Sequence, residues 1–500
     1  MALWDRFKKK PAPQKRNYAA GRVDRLTASW TATPQTPDQI VEGNLVTLVA
    51  RSREQYANND YARRFVELVQ SNVVGPHGVV MQSRATNPRG GLDTLGNEAV
   101  ESAWETWGRR GSCDVTGTLS WKQAQVIYMR TVVLDGECFV RKVKTKKGLR
   151  LQFIDSQLID VTYRHDGLKG GNYIRAGIEF NEWAEPVAYH IVTDNNSGAY
   201  VYNGKSYTRV SAENMIHGFL PERIGQKRGL PWMSTALARM KQLNAYEEAA
   251  VVAARVGASK LGFFKSSDGE SFTGTDYNDQ GEIITDAEPG TFHQLPANVD
   301  FTAFDPSYPT GEFESFVKSC LRGISSGLGV SYNTLANDLE GVNFSSIRAG
   351  VLEDREAWKM LQEFLIDTFC RPIFEEWLAL SLLTGKIVVQ GGALGYSRID
   401  KFKEATWQPR RWSWVDPVKD MQAAKEAIRL GLRSRSDIIR EMGKDPDDVW
   451  MEIKAEREVM KSLDIPIDNS TQMSTAETVS TSVSIEAPEG QEIEAPQTED

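Results

Sequence analysis

The chain has 500 residues, 40% hydrophobic and 25% charged, which excludes a fibrous or natively unstructured protein and suffices for one large core or for two to four domains. The formal charge of −8 is a property of the C-terminus: beyond Lys461 stand nine acidic residues and no Lys or Arg, and removing them leaves residues 1–463 at +1, too near neutral to condense on a polyanion. Four scattered cysteines without a CxxC exclude a disulfide framework or cysteine metal site, no apolar run reaches the about 18 residues of a membrane span, and Asp5 and Arg6 interrupt any signal peptide, so a globular intracellular chain is expected.

Residues 1–37 combine Lys8, Lys9, Lys10, Lys15 and Arg16 with four prolines and no period, and read as a flexible basic arm. Residues 38–72 predict two helices, the second starting near Asp60 with Tyr61, Phe65, Leu68 and Val69 inward and stopping before Gly75-Pro76. A third, over 93–110, is expected to bury Leu95, Val100, Trp104 and Trp107, and Ser120 caps a fourth over 121–135. At Glu137 the period changes to two. Residues 137–143, 149–154, 173–180, 186–192, 199–210 and 213–220 read as strands of an antiparallel sheet laid onto the helices. Between the first two, Arg141, Lys142, Lys144, Lys146, Lys147 and Arg150 crowd a hairpin, readable as a solvated tip or a nucleic-acid contact; no interleaved aromatic offers a base-stacking platform.

Residues 221–231 form a loop, and 232–257 an Ala-rich helix with Leu237, Met240, Leu243, Tyr246 and Ala250 on one face. Short strands at 260–266, 281–286 and 291–296 make a small β module, after which a helix over 311–328 returns with Phe313, Phe316, Val317, Cys320, Leu321, Ile324 and Leu328 on one face, ended by Gly327 and Gly329. Residues 330–344, VSYNTLANDLEGVNF, contain no Lys or Arg and three Asn. A linker near 15 residues is about the upper limit for a compact domain, and it reads either as a solvated connection or as a functional loop. From Ser345 or Ser346, which offer N-caps, one long helix runs to 383 with Ile347, Val351, Trp358, Leu361, Leu365, Phe369, Ile373 and Trp377 along a stripe and a kink expected at Pro372. Residues 386–408 are irregular, helices follow over 418–430, 434–442 and 447–463, and 464–500 is an acidic tail too polar to fold alone.

The catalytic motifs fail on context. Gly323-Ile324-Ser325-Ser326-Gly327 fits GxSxG, but it lies in a helical period and the last His of the chain, His293, precedes it. Gly204-Lys205-Ser206 lacks the earlier Gly of a phosphate loop, with Ala199 in its place. His77, His165, His190, His217 and His293 form no short pair and read as structural. No catalytic, cofactor-binding or metal residue is assigned, and no cofactor and no enzyme activity are expected.

Three segments, GLGVSYNTLANDLEGVNFSSIRAG (327–350), FDPSYPTGEFESF (304–316) and GQKRGLPWMSTAL (225–237), resemble the lambda-type family of bacteriophage portal proteins. With the strand region before and the DPVKDMQAAKEAIRLGL helix after, the resemblance spans about residues 38–463. It implies an α+β fold, mainly helical, with an antiparallel β-rich wing, paired stem helices, a small β clip, a long tunnel helix and a helical crown. The implied parts are wing 38–231, stem helix 232–258, clip 259–305, second stem helix 306–329, tunnel loop 330–344, tunnel helix and wing return 345–415, and crown 416–463. It further implies a head-tail connector: a homo-oligomeric ring, normally a dodecamer, at one capsid vertex of the virion. Double-stranded DNA would pass through it without sequence specificity during packaging and ejection. The terminase large subunit, head-completion and tail adaptor proteins and the major capsid protein are the implied partners, with assembly in the host cytoplasm and no membrane. A non-ring minor capsid or connector protein is the alternative. Tyr332, Asn333, Asn337, Asp338, Glu340 and Asn343 are then the residues facing the DNA channel, and Lys142, Lys144, Lys146 and Lys147 a possible nucleic-acid or capsid contact.

Overall fold

The structure is a computed structural model and describes residues 33–88, 91–193, 206–258, 262–266, 299–303, 312–340, 343–412, 417–442 and 444–463. Most of the basic arm, the acidic tail, the strands expected at 281–286 and 291–296, and residues 199–205 of another lie outside them. The chain divides into two compact units, Met1–Arg411 and Trp412–Asp500.

Thr36 opens α1 (Pro37–Asn58) with a capping box: its hydroxyl accepts from the Gln39 amide, and the Gln39 side chain accepts from the Thr36 amide. Asn59 closes α1 and starts α2 (Asp60–Val69) by accepting from the Ala62 amide. A π-helical turn, Gln70–Val74, extends α2 to Gly75. β1 (Val80–Ser83) leads to α3 (Thr94–Gly108) and α4 (Trp121–Asp135), whose start is the Ser120–Gln123 capping box. Val100 and Trp104 are buried as expected, whereas Leu95 is 54% exposed. The face that α3 turns to β1 in its first turn carries Asn97 instead, whose amide accepts from the Ala85 backbone (3.0 Å) and donates to it (3.1 Å).

The period-two region forms two sheets rather than one. In chain order its strands are β2 (Glu137–Thr145), β3 (Gly148–Ile154), β4 (Tyr173–Arg175), β5 (Ile178–Phe180), β6 (Pro186–Val192), β7 (Tyr207–Ser211) and β8 (Met215–Phe219). They pair antiparallel in the orders β3-β2-β8 and β4-β5-β6-β7. Residues 173–180, expected as one strand, turn back on themselves at Ala176 and Gly177, both at positive φ (49° and 79°). Phe139 and Ile154 of the first sheet share a buried cluster with Ile178, Phe180, Tyr189 and Val210 of the second, so the alternating apolar faces meet each other.

α5 (Leu237–Ala258) starts at Leu237 rather than Trp232, because the preceding turn is tied to α4 by the Trp232 amide donating to the Val133 carbonyl (3.1 Å). β9 (Gly262–Ser266) and β10 (Val299–Ala303) form an antiparallel pair between α5 and α6 (Phe313–Leu328). The α6 face packs through Leu321, Ile324 and Leu328, while Phe316 stays half exposed although its ring lies 4.9 Å from that of Tyr246 on α5. Gly329 ends α6 with φ 68°.

The linker after α6 is not all loop. It contains α7 (Tyr332–Ala336), and α8 (Phe344–Leu365) begins at Phe344, before the expected serine caps. Pro372 does interrupt the long helix, but by a π-helical turn, Ile366–Cys370, from which α9 (Arg371–Leu383) continues. Proline has no N–H to give the preceding turn, and the widened turn absorbs the defect. Phe369, Ile373 and Trp377 are fully or nearly buried there, with Trp121 stacked on Phe369 at 5.2 Å and Trp104 edge-on to Trp377 at 5.0 Å. The irregular stretch then holds β11 (Val388–Val389), β12 (Gly392–Ala393), α10 (Ile399–Phe402) and β13 (Ala405–Gln408), and β13 returns to pair antiparallel with β1. In the second unit α11 (Pro417–Arg429), α12 (Arg435–Glu441) and α13 (Pro446–Ser462) match the expected helices within a residue or two, with a Ser434–Asp437 capping box and Pro446 in the first turn of α13.

Candidate functional site

The cation-free linker is pinned from three sides. Leu335 of α7 is 2% exposed and Val330 is buried, so the short helix is anchored by apolar contacts. The hydroxyls of Ser331 and Thr334 both donate to Asp354 on α8, at 2.7 and 3.3 Å. The Tyr332 hydroxyl donates to Asp338 at 2.7 Å, and the other Asp338 oxygen accepts from the Glu340 amide at 2.9 Å. Asn337 ends α7 with φ 53°, a conformation that Asn accepts more readily than most residues because its amide can bond locally.

The linker borrows its positive charge from α6. Lys318 lies 2.5 Å from Glu314, 3.4 Å from Glu340 and 3.8 Å from Asp338, and the Arg322 guanidinium sits 5.4 Å from the centre of the Tyr332 ring. The Tyr332 hydrogen bond, helped by the Glu340 amide and by Lys318 and Arg322, holds the Asp338 carboxyl below its ordinary range. Burial and the bond to Asp338 push the Tyr332 phenol up, and Glu314 above all raises Lys318. Of the six linker residues singled out, the fold thus gathers Tyr332, Asp338 and Glu340 around Lys318. Asn333 is half-buried on α7, and Asn337 and Asn343 are exposed. The one signal in the sequence for these two cations is the four-residue spacing of Glu314, Lys318 and Arg322, which puts them on one side of α6 without saying what they meet.

The hairpin cations divide. Lys142 and Lys144 both grip Glu376 on α9 (3.1 and 2.7 Å), and the Lys142 side chain is only 12% exposed. Burial opposes the ionisation of Glu376, but the two lysines hold its carboxyl below the ordinary value. Arg150 donates to the carbonyls of Asp114 (3.0 Å) and Gly111 (3.3 Å). Lys146 and Lys147 are exposed at the tip, where the Lys147 carbonyl accepts from the Lys386 ammonium.

A buried ionic cluster supports this architecture and carried no motif. Arg228, 1% exposed, pairs with Glu137 at the start of β2 (2.6 Å) and donates to the carbonyls of Ser156, Ile159 and Ala176. His217 on β8 bonds the same carboxylate at 2.9 Å, as does the Gly229 amide at 3.1 Å. Burial opposes the Glu137 charge, yet Arg228 and His217 keep its carboxyl below the ordinary value; burial drives His217 down against the pull of Glu137, so a neutral imidazole donates to the carboxylate. Gly136 makes room: at φ 86° its missing Cβ would lie 2.1 Å from the Leu230 backbone. The only hint in the sequence was an Arg between close-set glycines, Gly225 and Gly229. Among the described residues no group of three His, Cys, Asp or Glu is placed to hold a metal ion, and no helix is long and apolar enough to cross a membrane.

Residues 23–362 match the family described as phage portal protein, lambda family. The chain is 35% identical over 461 residues to the probable portal protein of Halomonas phage phiHAP-1, covering 90% of this chain and 88% of that one. It is 23% identical to portal protein B of Escherichia phage lambda, covering 84% and 85%. Among solved structures, a chain from the neck of an empty GTA particle aligns with a TM-score of 0.44 at 14% identity, over 84% of this chain and 98% of that one.

Proposed function

The chain belongs to the lambda family of phage portal proteins, a structural and non-enzymatic family, and from that premise we propose that it closes into a ring, of twelve copies, at one vertex of the capsid. Double-stranded DNA passes along the ring axis during packaging and ejection. Tyr332, Asn333, Asn337, Asp338, Glu340 and Asn343 face the channel, Lys146 and Lys147 lie on the outer wing, and the β9–β10 module with the segment between its strands is the clip. The terminase large subunit and later the head-completion and tail adaptor proteins dock on the clip, and the major capsid protein meets the wing. Assembly takes place in the host cytoplasm before the ring becomes part of the virion.

The observation that carries this reading is the charge of the linker. Residues 330–344 contain no Lys or Arg, and of the cations that approach them Lys318 is engaged by Glu314, Asp338 and Glu340, Arg322 lies over the Tyr332 ring, and Arg64 of α2 donates to the Thr334 carbonyl. A conduit must not hold what it conducts, because each phosphate neutralised by a cation adds salt-dependent affinity. Asn333→Lys is therefore expected to leave rings intact by electron microscopy, to give them measurable salt-dependent affinity for duplex DNA, and to slow packaging. Packaging at the normal rate with no gain in DNA affinity would remove Asn333 from the channel, and unaltered protein that forms no ring would overturn the reading as a whole.

A further inference from the structure

Trp183 is 82% exposed at the turn between β5 and β6. The turn is built to hold it still. The Asn181 side-chain oxygen accepts from the amides of Trp183 (3.0 Å) and Glu185 (2.9 Å), its amide nitrogen donates to the Glu185 carboxylate (3.0 Å), and Ala184 sits at φ 62°. An indole presented to water from a rigid turn that costs backbone energy spends stability without gaining burial inside its own chain. Glu182 and Glu185 flank it, so its surroundings are acidic.

The same unit carries a depression of complementary character. A cavity of about 580 Å³ opens between α3, the tip of the β2–β3 hairpin and the end of α9. Trp107, Leu149 and Trp377 supply aromatic and aliphatic walls, Lys147, Arg150 and Lys386 supply the charge, and among the described residues no acidic one lines it. That volume falls within the roughly 300–1,000 Å³ of sites that enclose small organic groups, ample for one indole.

We propose that Trp183 of one subunit inserts into this cavity of a neighbouring copy, with Glu182 and Glu185 facing Lys147 and Lys386. The occupant is a second copy because both halves of the contact, an acid-flanked aromatic knob and a cation-bearing aromatic hole, stand on one chain. Two different surfaces meeting head to tail are what a closed ring repeats, and Trp in a desolvated pocket is the residue type that most often dominates an interface. The inference rests on the ring reading above and assigns residues to one of its contacts.

The test follows ring assembly of the full chain by mass photometry over a dilution series. Trp183→Ala, at an exposed site that leaves the fold unchanged, is expected to raise the half-assembly concentration at least about 30-fold, the ratio equivalent to about 2 kcal/mol for a dominant interface residue. Lys147→Glu is expected to weaken assembly as well, and adding Glu182→Lys in the same chain to restore part of it. At concentrations high enough to restore assembly, rings carrying Trp183→Cys with Ser102→Cys are expected to form inter-subunit disulfides, read by mass spectrometry. Trp183→Ala rings that assemble at wild-type concentrations overturn the proposal even if they enter capsids poorly, since Trp183 would then meet another protein. Unaltered chain that forms no ring overturns both this contact and the ring reading, so the two failures are distinguishable.

Discussion

At Glu137, one carboxylate answers three donors: His217 on β8, and Arg228 with the adjacent Gly229 amide in the loop that follows. Such a group is worth most when it is removed, because its partner is left charged in a dry interior. Glu137→Gln is expected to cost about 3–5 kcal/mol, seen as a lowered denaturation midpoint at constant m-value. Arg228→Met together with Glu137→Met is expected to cost clearly less than the sum of the single changes, since the pair's desolvation disappears with it. The linker offers a milder case. Asn337 holds φ 53°, so Asn337→Gly is expected to be near neutral while Asn337→Val costs about 1–2 kcal/mol, measured by thermal unfolding.

At the scale of the element, the π-helical turn between α8 and α9 is where a sequence defect became a packing device. The Thr368 hydroxyl donates to the Phe364 carbonyl (2.6 Å) and accepts from the buried Tyr128 hydroxyl (2.8 Å). Tyr128 in turn stacks on Phe369 at 4.3 Å. Gly218 makes room for it, since a Cβ at that position would lie 1.5 Å from the Tyr128 oxygen. Thr368→Val keeps the shape and strands that hydroxyl, so a loss of about 1–3 kcal/mol is expected by chemical denaturation. Phe369→Ala removes the stacking partner of both Tyr128 and Trp121 and is expected to cost about 3–5 kcal/mol in the same measurement. In the linker, Lys318→Ala withdraws the cation shared by Glu314, Asp338 and Glu340. The expected outcome is faster amide hydrogen exchange over 332–340 with little change elsewhere.

For the whole molecule, stability is expected to fall steadily from neutral to acid pH. His217 is held below its ordinary 6.5, so below that pH the unfolded chain takes up a proton that the folded chain refuses, and stability declines. Glu137 and Glu179 extend the decline below 4.5, since both are depressed, Glu179 to about 2 chiefly by the Arg209 hydrogen bond. Thermal midpoints between pH 8 and pH 4 check this, and His217→Gln is expected to flatten the part between 6.5 and 4.5.

What the sequence by itself determined was local or periodic. The longer helices and most of the strands, the Ser120 cap, the Gly329 stop, the break at Pro372 and the cation-free linker could all be read because each depends on neighbours within about a turn or on a repeat of two or 3.6 residues, whereas the short helices α7 and α10 could not. The resemblance carried the family for the same reason, since it rests on order and spacing along the chain. Partition was decided only in three dimensions. Alternation could not tell one sheet from two, nor that β13 returns to β1. Charge was the least legible quantity of all, because a charged side chain looks alike in sequence whether it is solvated or paired. Lys142 and Lys144 proved to be fastened to Glu376, Arg228 to be buried, and the linker's missing cations to arrive from α6, across distances in the chain that no local pattern spans.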